Sequence, residues 1–199
     1  FGYRWSTDRA QLGLSVFRDR YENFIEYTNL VQSVPGGFRT TATGPVLYSR
    51  NYTMPTNAGE VTVKGAELEG RWNVGQGLSV YGAYAYVDSE VTQSNDATTL
   101  GKAIALQPQH VASLGSDYTI TGGALAGLGF GAGVRFTGAH FGDARNEWET
   151  PSYTLFDVSA HYDVSNWRFQ LNAQNLADRE YVSVCNSAAW CYYGYARTV

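Results

Sequence analysis

Charged side chains are scarce in this chain. Asp, Glu, Lys and Arg make up 16% of its 199 residues, against about 25% in an ordinary soluble domain. Long hydrophobic runs are missing too: nothing approaches the roughly 18 apolar residues that a membrane-crossing helix requires. Methionine occurs once, proline five times and cysteine twice, which leaves room for a single disulfide. The 14 Lys and Arg are outnumbered by 18 Asp and Glu, for a net charge of −4, so there is no basic footprint for nucleic acid. The opening residues Phe1-Gly2-Tyr3-Arg4-Trp5 carry no signal peptide. Gly-x-Ser-x-Gly, phosphate-loop and metal-ligand spacings are all lacking. His161 near Asp163 is too slight to support a hydrolase, and no enzyme is expected.

What is abundant is Gly (22), Tyr (15) and apolar residues generally (44%). Few charges, many aromatics and no helical span suit a membrane β-barrel, whose outer face must be apolar while its inner face stays wet. The arrangement along the chain agrees. In 166–174, Trp167, Phe169, Leu171 and Ala173 alternate with Arg168, Gln170, Asn172 and Gln174. In 152–162, Phe156, Val158, Ala160 and Tyr162 oppose Leu155, Asp157, Ser159 and His161. The same period of two runs through 10–16, 62–72, 78–86, 111–118 and 126–137, and it marks strands with one wet face.

Connections alternate in length. Ser6–Arg9, Gly75–Gly77, about Ile120–Leu125 and Asp163–Asn166 are short, while about 29–59, 88–108, 140–150 and 181–191 are long. Outer-membrane barrels have short periplasmic turns and long extracellular loops in this order. Two aromatic girdles are expected. Trp72, Tyr118, Tyr162 and Trp167 would lie near the turns, and Tyr84, Tyr86, Phe136, Tyr153 and Phe156 toward the loops. About nine strands are expected: 1–6, 9–27, 60–74, 77–91, 109–120, 126–139, 151–162, 166–180 and 192–199. Bacterial single-chain barrels have even strand numbers, and open edges in lipid leave backbone groups unpaired. The chain is therefore expected to be part of a longer antiparallel transmembrane β-barrel.

Four ordered stretches carry a resemblance: Val63-Lys64-Gly65-Ala66-Glu67-Leu68-Glu69-Gly70, Pro108-Gln109-His110-Val111-Ala112-Ser113-Leu114, Pro151-Ser152-Tyr153-Thr154-Leu155-Phe156-Asp157 and Asn175-Leu176-Ala177-Asp178-Arg179-Glu180-Tyr181. Their order and spacing resemble the C-terminal third of TonB-dependent outer-membrane receptors. The ending, with Cys185, Trp190, Cys191, Tyr192, Tyr193, Gly194 and Arg197, resembles the ferric-hydroxamate group that includes the ferrichrome and ferrioxamine receptors. The resemblance implies a barrel of about 22 strands plugged by an N-terminal domain. It also implies energy from TonB through an N-terminal peptide. Residues 1–199 would be the C-terminal portion of that barrel, with plug and TonB-contacting peptide outside this chain. The last strand is shorter than the family pattern, which also points to a part of a longer protein.

Within this resemblance the transported ligand is a ferric siderophore, with no covalently bound cofactor and no resident metal. Outer-membrane lipid and lipopolysaccharide are the surrounding partners. Cys185 and Cys191, six apart in an extracellular loop, are expected to form a disulfide in that oxidising setting. Metal binding is the rival reading and lacks a matching Cys or His; free thiols are the other. The ligand candidates are loop aromatics, whose flat apolar bodies and polar tips suit a compact chelate: Tyr48, Tyr52, Trp148, Trp190, Tyr193 and Tyr195. Trp190 and Tyr193 are favoured, and interface packing is the plainer role for any one of them. His110, His140 and His161 are read as lumen or interface polar residues. Glu67, Glu69, Arg71, Arg135, Asp157, Arg168, Gln170, Asn172 and Gln174 are read as lumen lining, solvated or paired with a plug. Three alternatives stand beside siderophore uptake: the same fold with cobalamin, haem or a glycan as cargo, a passive porin or adhesin barrel, and a soluble β-domain.

Overall fold

A computed structural model describes residues 1–41, 44–187 and 189–199, with the side chains of 26–58 outside the description. Eight strands form one antiparallel sheet in the order β1-β2-β3-β4-β5-β6-β9-β10. They are β1 (Gly2–Ser6), β2 (Ala10–Thr41), β3 (Gly44–Gly75), β4 (Leu78–Gln93), β5 (His110–Thr119), β6 (Leu128–Thr137), β9 (Tyr153–Val164) and β10 (Trp167–Ala173). Two small hairpins accompany them, β7 (His140–Phe141) with β8 (Glu149–Thr150), and β11 (Val182–Ser187) with β12 (Trp190–Tyr193). Neighbours in the sheet are neighbours in the chain apart from the β7–β8 excursion, which is the up-and-down meander of a barrel wall.

Register shows why the sheet has two unlike faces. Residues opposite one another in a ladder share a face. One row crosses the sheet as Leu12, Gly70, Gly82, Leu114, Val134 and Phe156. The next is Leu14, Leu68, Tyr84, Ala112 and Phe136, and another is Leu78, Tyr118, Phe130, Ala160 and Leu171. The opposite face carries Gly13, Glu69, Ala83, Ser113, Arg135 and Leu155 in one row and Ser79, Asp117, Gly131, Ser159 and Asn172 in another. Among the described residues the only buried hydrophobic side chains are Val61 and Leu155, whereas Leu114 is 57% and Phe169 61% exposed. A single-layer sheet with no core of its own and an apolar face this open belongs in lipid.

The short connections at 7–9, 76–77, 120–127 and 165–166 lie together at one end of the sheet, and the loop excursions lie at the other. In the first turn the Thr7 hydroxyl accepts the N–H groups of Arg9 and Ala10 at 3.3 and 2.9 Å.

Five expectations change. The described residues of 29–59 do not form a loop, because β2 runs on to Thr41 and β3 begins at Gly44, as paired strands of 32 residues each. Backbone pairing above a membrane needs no apolar face, so alternation ends while the ladder runs on, with register shifts at Tyr21/Phe24 and Ser33/Phe38. The strand expected over 166–180 stops at Ala173, because Asn175 and Asp178 adopt φ of 50° and 51°, the left-handed region that strands do not use. The strand expected over 192–199 is not continuous. Trp190–Tyr193 pair with β11, and beyond them only Thr198 bridges, to Gln174. Among the described residues, twelve strands, eight of them in the main sheet, replace the expected nine. Tyr153 also leaves the outer girdle: it pairs with Thr137 on the wet face, and its ring lies 4.3 Å from that of Tyr181.

Candidate functional site

Three excursions at the loop end are bonded into one layer. The first, 94–109, is tied back to β4 through Gly101 N–H to Val91 O and Val91 N–H to Lys102 O, both 2.9 Å. The Ile104 N–H reaches the buried Ser89 hydroxyl at 3.1 Å. The second excursion is the β7–β8 hairpin, whose connecting loop 142–148 is organised by one carboxylate. Asp143 accepts the N–H groups of Arg145, Glu147 and Trp148 at 3.0, 3.0 and 2.8 Å, and Gly142 N–H closes the hairpin on Trp148 O at 2.9 Å. The third is the β11–β12 hairpin, closed by the Cys185–Cys191 disulfide across a paired position of its ladder.

The second excursion touches both others. Asn146 exchanges two hydrogen bonds with Ala103, accepting its N–H at 2.8 Å and donating to its carbonyl at 3.1 Å. Leu106 N–H meets Phe141 O at 2.7 Å, and Arg145 lies 3.7 Å from Asp96. On the other side, Cys185 N–H donates to the fully buried Thr150 hydroxyl at 3.0 Å. Gly142 lies so close to Cys185 that an added Cβ would strike its carbonyl oxygen. That contact requires glycine.

Asp96 sits in the first excursion, well outside the apolar band. Its carboxylate accepts from the Thr98 hydroxyl and N–H at 2.6 and 3.0 Å. These bonds, ahead of the Arg145 charge, hold its pKa below the ordinary carboxylate value of 3.8. A depressed folded-state pKa stabilises the loop above that value and is lost as pH falls through the lowered one. Pepsin cleavage across 94–102, followed downward from about pH 5, is therefore expected to rise progressively as pH falls through the ordinary carboxylate range toward the lowered pKa. In Asp96→Asn the pH step disappears. The same pH profile in the unaltered protein and in Asp96→Asn would contradict the assignment.

The structure divides the expected ligand residues. Trp148, 37% exposed, and Trp190, 65% exposed, lie on the two hairpins that dock together. Tyr193 lies at the base of β12 and borders a hollow with Asp178, Arg179, Glu180, Tyr181 and Ala196. Tyr195 is 88% exposed, and its carbonyl is held by Asn175. Among the described residues no ring pair joins these four. Tyr48 and Tyr52 lie on β3, and their side chains fall outside the description. Sequence reasoning missed the residues that fasten the layer, namely Asn146, Asp143, Ser89 and Thr150. Small polar residues in a loop carry no pattern until their partners are known.

Below the layer, the motif at 175–181 forms a knot. The Asn175 side chain, 3% exposed, donates to the carbonyls of Arg179 and Tyr195 at 2.9 and 3.1 Å and accepts Arg179 N–H at 2.9 Å. Its own N–H reaches Asp157, which is also ion-paired with Arg135 on the lumen face. Asp178 accepts Arg197 N–H at 2.7 Å. Gly194 lies against Tyr181 where a Cβ would enter the ring.

The lumen polar residues largely pair with one another. Arg4 lies 3.7 Å from Glu69, Arg168 lies 3.3 Å from Asp163, and Gln170 donates to Asn172 at 2.9 Å. His161 is buried on this wall, with the Thr119 hydroxyl 3.2 Å away. His110 sits on the outer face, its Nδ1 2.8 Å from the Tyr84 hydroxyl and its ring near Tyr86. His140 is buried at the layer, 3.3 Å from Gly138 O. Among the described residues no group of three or more His, Cys, Asp or Glu could hold a metal ion.

A family model described as the TonB dependent receptor-like β-barrel matches residues 1–176. The chain belongs to the TonB-dependent receptor β-barrel family. It is 38% identical over 146 residues to the ferrichrome outer membrane transporter and phage receptor of Escherichia coli, covering 71% of this chain and 19% of that protein. It is 35% identical over 146 residues to the ferrioxamine B receptor of Salmonella typhimurium, covering 71% and 21%. The crystal structure of the ferric yersiniabactin uptake receptor of Yersinia pestis superposes with a TM-score of 0.74 at 19% identity, covering 98% of this chain and 27% of that one. The chain thus spans about a fifth of the length of the curated relatives it matches. As a TonB-dependent receptor β-barrel it lies in the bacterial outer membrane, its apolar rows toward lipid and its loop layer at the mouth.

Proposed function

We propose that this chain serves the uptake of a ferric siderophore of the hydroxamate class, with the loop layer as its receiving rim. On this reading residues 1–199 are the C-terminal portion of the receptor barrel. Plug and TonB contacts belong to parts of the receptor outside them, and lipopolysaccharide surrounds the rim. The observation that carries the reading is the bonded layer itself, with Trp148 and Trp190 exposed on adjoining hairpins, in a chain whose relatives at 35–38% identity are ferrichrome and ferrioxamine B receptors. The protein does no chemistry on the iron. It offers indole and phenol groups, which bury large rigid area at low entropy cost and donate hydrogen bonds to chelate oxygens.

Cells whose only hydroxamate receptor is this one are expected to accumulate iron from ferrichrome or ferrioxamine B. Trp190→Ala and Tyr193→Ala are each expected to weaken chelate binding about tenfold, the scale of an interface anchor. Failure to bind any ferric hydroxamate sinks the class of cargo. Unchanged affinity in both variants sinks the rim as the receiving surface.

A further inference from the structure

We propose that Asn146 is a positioning residue, a side-chain splint that makes the excursions 94–109 and 142–148 move as one body and so presents Trp148 preformed at the mouth. This role toward ligand rests on the uptake reading above; the mechanical part does not. Asn146 sits at φ 57° in the loop between β7 and β8. Its amide then does what a backbone unit does in an antiparallel ladder, accepting Ala103 N–H at 2.8 Å and donating to Ala103 O at 3.1 Å. The same amide nitrogen donates inward to Asp143 O at 3.3 Å. Asp143 is the residue whose carboxylate holds Trp148 N–H at 2.8 Å. One side chain therefore joins the first excursion to the residue that sets the Trp148 backbone.

The bonds around the splint place it at a junction. On the 94–109 side, Ala103 adjoins Lys102 and Ile104, both tied to β4 through Val91 and Ser89. On the other side, the hairpin reaches the disulfide-closed β11 through Thr150. Other polar links between the described residues of these two excursions are one backbone bond, from Leu106 to Phe141, and a 3.7 Å ion pair between the half-exposed Arg145 and Asp96. An exposed pair of that length contributes little. Asn146 supplies the only two-bond link between the excursions among the described residues.

The functional consequence follows from the cost of ordering. A loop that must be ordered during binding subtracts that entropy from affinity, and the apparent affinity falls with the fraction of molecules whose rim is already in place. A splint raises that fraction without touching the ligand.

The test uses the receptor in outer-membrane vesicles with Asn146→Gly and Asn146→Ala. Glycine accepts positive φ without strain, so Asn146→Gly deletes the amide and leaves the turn. Hydrogen exchange without ligand is expected to rise in Asn146→Gly at 101–106 and at 145–148 together, while the β4–β5 ladder is unchanged. Association of ferrioxamine B is expected to slow about fivefold with little change in dissociation, because the competent fraction falls. Exchange at 101–106 equal to the unaltered protein overturns the splint, whatever the binding result. Coupled loosening with unchanged association overturns the positioning role and leaves the uptake reading standing. An unaltered receptor that binds no ferric hydroxamate overturns the uptake reading and the positioning role with it, while the exchange result still decides the splint. Loosening in Asn146→Ala but not in Asn146→Gly would show turn strain instead of the amide at work, and also overturns the proposal.

Discussion

Leu114→Arg is expected to destabilise the folded barrel by about 2–4 kcal/mol, the cost of a cation on the lipid face near mid-membrane. Ser15→Arg is expected to change stability by no more than about 0.5 kcal/mol. Leu114 stands in the middle of the apolar rows, 57% exposed, between Gly82 and Val134. Its guanidinium replacement has no paired strand to retreat behind and sits several residues from either end of β5 (His110–Thr119). Ser15 lies beside Leu14 in sequence but on the opposite face, across the ladder from Glu67. A cation there meets a carboxylate and the lumen. Unfolding by urea in phospholipid vesicles measures both. Equal costs would mean that the faces are assigned wrongly, and a larger cost at Ser15 would mean that they are inverted.

The contrast matters because the sheet has no interior to rely on. With two buried apolar side chains among the described residues, core burial does not hold the sheet together. The wall is instead held by its ladder of backbone bonds, which lipid makes obligatory, and by polar pairs along the lumen face such as Arg135 with Asp157. The loop layer is held in a third way, by single side chains that take the place of backbone: Asn146 toward Ala103, Asp143 toward 145–148 and Thr150 toward Cys185. Each region therefore answers to a different perturbation. Lipid-face charges test the wall, and amide deletions test the rim.

The sequence legibility of these regions follows the same division. The wall could be read because each of its strands must repeat apolar and polar positions with period two for as long as it faces lipid, and Leu12, Leu14 and Val16 or Phe169 and Leu171 do so without interruption. The same rule explains the misreading of 29–59. Once a hairpin rises clear of lipid the constraint ends, and a paired strand looks like a loop. Tyr153 shows that parity outranks aromaticity, since its odd number places it with Leu155 and Asp157 on the wet side. The Cys185–Cys191 pairing was legible from spacing and setting, and the disulfide is formed. Trp148 and Trp190 could be named as exposed loop aromatics. That their hairpins adjoin could not, since the connection runs through Thr150, a residue with no signature of its own.

Asn175→Ala is expected to release the 176–199 segment, at a cost of about 3–5 kcal/mol. The amide of Asn175 makes three hydrogen bonds, two with Arg179 and one with the Tyr195 carbonyl, each worth about 1 kcal/mol net. Alanine at φ 50° adds about 1–2 kcal/mol of left-handed strain. The loss is concentrated because the side chain is 3% exposed and water cannot readily replace it. Two further ties depend on the same turn, the Asp178 bond to Arg197 N–H and the seat of Gly194 against Tyr181. Hydrogen exchange is expected to rise from 176 through the β11–β12 hairpin, while β9 and β10 keep their protection. Asn175→Gly removes the bonds but not the conformational fit, so it should fall short of the alanine cost by about the strain alone. If both variants exchange as the unaltered protein does, Asn175 is not the knot. If exchange rises equally throughout β9 and β10, the segment is part of the wall's own cooperative unit and not a rim element fastened to it.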